Sequence, residues 1–167
     1  MIRSATIKNK VYKFVHKEDV WVVTNLYGRA FDDTWLNIDP LGKITVKCSH
    51  GSGYAWDGCS PKWNVLDLTW GTPDGRLDFN TEEPMTYYAS MIHDALYQYK
   101  AVAGISRNEA DVIFRLILKE AGFRLWWVYG SGVWLGGGIY GHWKTKISLV
   151  NIRITGCSWL TGKKPVD

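Results

Sequence analysis

The chain has 167 residues with 20 Lys or Arg and 16 Asp or Glu, which gives a formal net charge of +4. This length predicts a single domain (1–167) that can bury its own core, and a hydrophobic fraction of 46% excludes wholesale disorder. Because the basic residues are scattered, the mild positive charge indicates a solvated surface, and we expect no sequence-specific nucleic-acid binding.

The cysteines and the first residues bear on the compartment. Cys48, Cys59 and Cys157 are odd in number and lack CxxC spacing, which argues against a zinc site and against a disulfide framework. They favour a reducing compartment, with a single bridge as the alternative. The first fourteen residues have no apolar run, so no signal peptide is predicted.

Residues 1–60 are predicted to be mainly strands of an antiparallel sheet. Short runs of β-branched and aromatic residues are separated by turn residues such as Asp39-Pro40. The clearest runs are VYKFV at 11–15, DVWVVTNLY at 19–27 and KITVKCS at 43–49.

Residues 51–83 are dense in Gly, Pro, Asp, Asn and Ser, and they predict a long glycine-rich loop. Within it, Asp57-Gly58 is typical of a turn. An aspartate in such a loop can also bring carboxylate and carbonyl oxygens together, which is the ligand set that calcium prefers. The adjacent Cys59-Ser60 offers a nucleophile, but no base is visible beside it.

A first helix is predicted to open near Pro84, a residue favoured in the first turn. At about 100° per residue, Met91, Ala95 and Tyr88 fall on an apolar half, while His93 and Asp94 fall on the polar half. For a lone histidine on a polar face, a solvated or simply hydrogen-bonded side chain is the alternative to a catalytic role.

A second helix is predicted to start at the capping box Ser106-Arg107-Asn108-Glu109 and to end near Gly122. Asp111 lies near its start. The structural alternative for Asp111 is an ion pair with Arg115, four residues further along the helix.

An antiparallel hairpin of these two helices would bring His93, Asp94 and Asp111 to one level. His93 lies about ten residues before the middle of the break between the helices and Asp111 about eight after it, and the rise is about 1.5 Å per residue. A histidine flanked by two carboxylates can be oriented as a general base while one carboxylate stays free for a metal.

The remaining chain completes an α+β expectation. Residues 84–143 form the predicted helical part and 144–167 a strand and tail, with the strand over Lys146–Thr155. Leu125–Trp143 has 19 residues without a charged side chain, close to the ~20 that span a bilayer, but six are glycine. We expect a buried glycine- and aromatic-rich element, with contact to a membrane surface as the alternative.

Two motifs carry a family resemblance. His93-Asp94-Ala95-Leu96-Tyr97 and Ala110-Asp111-Val112-Ile113-Phe114, together with the neighbourhood of Asp57-Gly58-Cys59-Ser60, resemble a small family from phages and prophages known as domain of unknown function 1353. The resemblance spans roughly residues 50–140. It implies a phage origin, hence a place in the host cytoplasm during infection or in the virion, and it implies no established activity.

A weaker similarity is to secretory phospholipases of the short bacterial and fungal kind. It implies that His93 deprotonates a water, that Asp111 orients the imidazole, and that Asp94, Asp57 and loop carbonyls hold calcium. The chain departs from those enzymes in having no cysteine in either predicted helix, whereas they join the two helices by disulfides.

The leading functional expectation is therefore a phage-encoded, calcium-dependent hydrolase of ester or phospholipid substrates with a His93–Asp111 dyad. The alternative is a non-catalytic phage component, either a structural subunit of the virion or tail or a factor that binds a host protein. Ten Trp and nine Tyr suit burial in an assembly as well as lipid contact.

Overall fold

The computed structural model describes residues 12–58, 62–65, 68–71, 75–78, 81–100, 102–124 and 151–160. In these residues two helices follow eight strands, and a further strand comes near the end of the chain. The elements are β1 (Phe14–His16), β2 (Val20–Thr24), β3 (Phe31–Asp32), β4 (Leu36–Ile38), β5 (Lys43–Val46), β6 (Tyr54–Trp56), β7 (Lys62–Val65), β8 (Leu68–Gly71), α1 (Tyr87–Gln98), α2 (Arg107–Glu120), β9 (Ile154–Cys157) and a 3₁₀ turn at Ser158–Leu160.

A five-stranded antiparallel sheet has the order β3-β4-β5-β2-β9. In β2, Val20, Val22 and Thr24 are buried and alternate with half-buried residues, as expected for a strand with one face on the core. The neighbouring strands β4 and β5 alternate in the same way. The predicted N-terminal sheet is confirmed, and β9 adds a strand from the other end of the chain.

The small sheet β1-β6 connects the strands to α1. Trp56 in β6 is fully buried, and its indole Nε1 donates a hydrogen bond to Ser90 Oγ at 3.1 Å. Its ring meets the Tyr87 ring edge-on, with centroids 4.8 Å apart. A buried indole needs such an acceptor for its N–H group, so this contact fixes β6 against the first half of α1.

The two helices form an antiparallel hairpin, which confirms the α+β class and the predicted helical pair. Contacts that join later residues of α1 to earlier residues of α2 give the direction: His93 meets Phe114, and Tyr97 meets Asp111. The predicted capping box is present, because Ser106 Oγ accepts from the Glu109 backbone N–H while the Glu109 side chain accepts from the Ser106 N–H.

Residues 51–83 hold more regular structure than the predicted long loop. They contain β6 and the antiparallel hairpin of β7 and β8, where Trp63 pairs with Trp70 in register. The turn residues in this region separate short strands of β-branched and aromatic residues, and their density concealed those strands.

Helix α1 begins at Tyr87, three residues after the predicted start at Pro84. Pro84 instead forms an isolated β-bridge with Leu77, and the Met85 N–H donates to the Arg76 carbonyl at 3.0 Å. Because these groups pair with an extended segment, residues 84–86 do not join the helix.

Two predictions fall wholly or partly outside the described residues. The glycine-rich segment Leu125–Trp143 lies there entirely, as does the first half of the predicted strand Lys146–Thr155, while residues 151–153 are described and are not in a strand. The observed strand β9 starts at Ile154, so it overlaps only the last two residues of that prediction and extends to Cys157.

Gly42 is expected to be essential for the turn before β5. Its φ is +83°, and a Cβ added there would lie 2.3 Å from the Thr24 carbonyl oxygen. We expect Gly42→Ala to lower the free energy of unfolding by about 2–5 kcal/mol, through left-handed strain plus overlap with backbone. Urea denaturation measures this loss.

Gly28→Ala is the matched control. Gly28 has φ +74° but no atom within 4 Å of an added Cβ, so only the conformational cost of about 1 kcal/mol applies. Equal losses in the two variants would contradict a steric role for Gly42.

Candidate functional site

The start of α2 is held by a buried acidic residue, Glu109, which is 2% exposed. Arg29 donates two hydrogen bonds to its carboxylate, at 2.9 and 2.6 Å, and the Ser106 N–H donates a third at 2.8 Å. Burial acts to raise the pKa of Glu109, but these donors outweigh it and lower the pKa. Since α2 is anchored in this way, the residues of its next turn have a fixed position.

His93 and Asp111 come together across the helix pair. His93 Nε2 and Asp111 Oδ1 are 3.0 Å apart, and the two side chains are 15% and 4% exposed. The ring of His93 also lies against Tyr97 and Phe114, with centroids 4.1 and 5.0 Å away. The structure thus places these two predicted site residues in direct contact, on the inner side of the hairpin.

Tyr97 is a third member of this group that sequence reasoning missed. Its hydroxyl donates to the same Asp111 Oδ1 at 2.6 Å. Burial and then the Asp111 carboxylate raise the pKa of the Tyr97 phenol, so the phenol stays a hydrogen-bond donor at neutral pH. The spacing offered a signal, because Tyr97 lies one helical turn after His93 and therefore on the same face.

Asp111 pairs with a different arginine from the one predicted. Arg107 Nε lies 3.6 Å from Asp111 Oδ2, whereas Arg115 Nε bonds the backbone oxygen of Asp111 at 3.4 Å. Within the described part of the chain, Asp111 Oδ2 has no hydrogen-bond partner although it is buried. The carboxylate is therefore held through Oδ1, while Oδ2 faces a positive charge at a longer distance.

Asp94 lies on another side of α1. Its Oδ2 accepts a hydrogen bond from the Tyr54 hydroxyl at 3.1 Å, so it is directed to β6 and away from the His93–Asp111 contact. Adjacent helical residues point about 100° apart, and the tertiary contact with Tyr54 settles which direction Asp94 takes. The structure brings His93 to Asp111 but does not bring all three predicted side chains together.

Asp57 directly follows the last residue of β6, whereas Asp94 contacts Tyr54 at the first residue of that strand. Tyr54 meets Asp94 and Trp56 meets Ser90, so the strand runs toward the start of α1. Three extended residues from Tyr54 to Asp57 cover about 10 Å. Among the described residues, no three His, Cys, Asp or Glu side chains are grouped so that they could hold a metal ion. Calcium binding by Asp94, Asp57 and loop carbonyls stays a prediction.

The sequence also offered Cys59-Ser60 as a source of a nucleophile. Cys59 and Ser60 are outside the described residues. Cys48 is fully buried, and burial raises the pKa of its thiol to about 12, which makes it a poor nucleophile.

The chain is therefore an α+β protein in which a helical hairpin with a buried His–Asp pair packs on an antiparallel sheet. Residues 61–130, which contain both helices and the pair, match the model of a family described as "Protein of unknown function (DUF1353)". The predicted family resemblance is thereby confirmed. Comparison with curated proteins gives no match, and neither does comparison with solved structures.

We expect the hydroxyl of Tyr97 to stabilise the hairpin through Asp111. Tyr97→Phe should lower the free energy of unfolding by about 1.5–3 kcal/mol, because it removes a buried hydrogen bond to a carboxylate. Tyr27→Phe, at a 67% exposed residue, should change it by less than about 0.5 kcal/mol. Denaturant unfolding of both variants checks this, and similar values for the two would contradict it.

Proposed function

We propose that this protein is a hydrolase of ester or phospholipid bonds, with His93 as general base and Asp111 as the residue that positions it. The observation that supports this is the 3.0 Å contact between His93 Nε2 and Asp111 Oδ1 in the helical hairpin. A carboxylate bound to one imidazole nitrogen fixes the tautomer, so that the other nitrogen is available to accept a proton.

The proposed reaction uses the second ring nitrogen. With the Nε2–H donated to Asp111, Nδ1 of His93 takes a proton from a water molecule, and the water oxygen bonds to the substrate carbonyl carbon. The Asp111 carboxylate stabilises the imidazolium ion that forms. When the tetrahedral intermediate collapses, the ester C–O bond breaks, and His93 returns the proton from Nδ1 to the leaving alkoxide.

The neighbours of Asp111 suit this role. Tyr97 holds Oδ1 at 2.6 Å, and the positive charge of Arg107 lies 3.6 Å from Oδ2, so the carboxylate has little freedom to rotate. Tyr97 and Arg107 would act as positioning residues, since they contact Asp111. The His93 side chain is 15% exposed, so part of it reaches solvent.

Assays of hydrolysis with liposomes and with soluble short-chain esters as substrates test this proposal. We expect His93→Gln to lower kcat by at least about 100-fold, because a general base contributes roughly that much. Asp111→Asn should also lower kcat, since an amide cannot stabilise the imidazolium ion by charge. His50→Gln is the matched control, at an exposed histidine outside the hairpin.

Circular dichroism and thermal unfolding of each variant distinguish lost chemistry from lost folding. A wild-type protein without turnover on either kind of substrate would contradict the hydrolase proposal. Full activity in a folded His93→Gln variant would contradict the role of His93.

Calcium is a separate part of the proposal, with Asp94 and Asp57 as its predicted ligands. The Asp94 carboxylate accepts the hydrogen bond from Tyr54 through Oδ2 and keeps further lone pairs that could coordinate the ion. We therefore expect Asp94→Asn to abolish calcium binding in calorimetry and Tyr54→Phe to retain it, with Asp32→Asn, at an exposed residue, as the control. No calcium heat in either wild type or Tyr54→Phe would contradict the calcium part alone.

A non-catalytic phage component is the second candidate, and one surface favours it. Tyr27 and Leu41 are 67% and 76% exposed, and the hydrogen bond from Gly28 N to Pro40 O, 2.8 Å long, joins their two loops. Exposed large apolar side chains on adjoining loops favour contact with another macromolecule, such as a virion subunit or a host protein. A phage origin, with a place in the host cytoplasm or the virion, belongs to both candidates and rests on the motif resemblance.

A lipid substrate would require the protein to contact a membrane surface. Within the described ranges, neither helix is long and apolar enough to cross a bilayer.

A further inference from the structure

A pocket of about 240 Å³ lies at the other end of the helical hairpin from the α1–α2 loop. Tyr88 lines it from the first turn of α1 and Met85 from just before that helix. Ile117 and Glu120 line it from the last turn of α2, and Asp78 and Trp159 from the two flanking segments. It is about two helical turns from the His93–Asp111 contact, and it uses none of the residues of that contact.

The pocket has aromatic and apolar walls. The rings of Tyr88 and Trp159 stack with centroids 4.6 Å apart and planes 3° from parallel. Met85 and Ile117 are buried and supply apolar surface beside them. The two rings cover one face of each other, so a cation or methyl group would contact an outer face of the pair, which carries negative charge density.

The charge at the pocket is acidic in a chain with a net charge of +4. Among the described residues that line it, Asp78 and Glu120 are the charged ones, and both are carboxylates. Glu83 and Glu18 also lie close to Tyr88: after burial, they and Asp78 raise the pKa of the Tyr88 phenol. Negative potential is thus concentrated where the aromatic pair lies.

We propose that this pocket binds a small organic cation of the quaternary-ammonium type. The volume is below the roughly 300–1,000 Å³ of pockets for drug-sized ligands, so it suits a headgroup of a few atoms. A quaternary nitrogen spreads its charge over methyl groups, which would pack on an outer face of the stacked Tyr88–Trp159 pair, with the Asp78 and Glu120 carboxylates in the pocket wall.

The same charges select against zwitterions. A phosphate or carboxylate attached close to the ammonium group would approach Asp78 and Glu120 and be repelled. The pocket therefore favours a free monocation, such as choline, over the phosphocholine headgroup of a lipid. This inference is independent of the hydrolase proposal.

Calorimetry and NMR titration of the full chain at constant ionic strength test the proposal with three probes. Choline should bind with a dissociation constant of about 1–10 mM. Its uncharged carbon isostere 3,3-dimethylbutan-1-ol should bind roughly five- to thirtyfold more weakly, because it lacks the cation–π attraction. Phosphocholine should also bind more weakly than choline.

Variants locate the binding. Glu120→Gln, at an exposed rim residue, should weaken choline binding about threefold, whereas Glu82→Gln removes the same charge from an exposed residue that does not line the pocket and should have little effect. Tyr88→Leu should abolish binding if it folds.

Other results would overturn the proposal. Equal affinity for choline and its neutral isostere would show a merely apolar pocket. Tighter binding of phosphocholine than of choline would point to a lipid headgroup as the ligand. No choline binding at concentrations 50-fold above the expected dissociation constant would contradict the proposed site. An equal loss of choline affinity in Glu120→Gln and Glu82→Gln would also contradict it.

Discussion

The buried carboxylate of Asp111 is the constraint on which the helical hairpin depends. A charge that is 3% exposed is costly unless neighbouring groups compensate it, and here they come from both helices. His93 and Tyr97 of α1 contact Oδ1, and Arg107 of α2 lies near Oδ2. Any slide or rotation of one helix on the other would separate these groups and leave the charge uncompensated. The carboxylate therefore sets the register of the two helices, which in turn fixes the orientation of His93.

The sequence predicted those features of the hairpin that depend only on residues close together in the chain. The capping box of Ser106 and Glu109 is contained in four residues, and it set the start of α2 correctly. The levels of His93 and Asp111 follow from helix rise and a short break, so their contact was also predictable. Neither inference needs knowledge of the sheet.

The direction of Asp94 and the start of α1 were not predictable in this way, because each depends on a distant segment. Asp94 is drawn to β6 by Tyr54, 40 residues earlier in the chain. Pro84 pairs with Leu77 in a β-bridge, which overrides its preference for a first helical turn. In both cases a contact with a distant segment, and not the local sequence preference, determined the structure.

The polar contacts around Asp111 are hard to explain by stability alone. A buried ionic group can often be replaced by well-packed apolar residues of similar volume with no loss of stability. The hairpin already has such a core in Ile92, Leu96 and Ile113, all fully buried or nearly so. A further Leu or Phe in place of Asp111 and its partners would extend that core without the cost of burying a charge. The proposed catalytic role of His93 would account for this cost, because a carboxylate that holds one imidazole nitrogen orients the other for proton transfer.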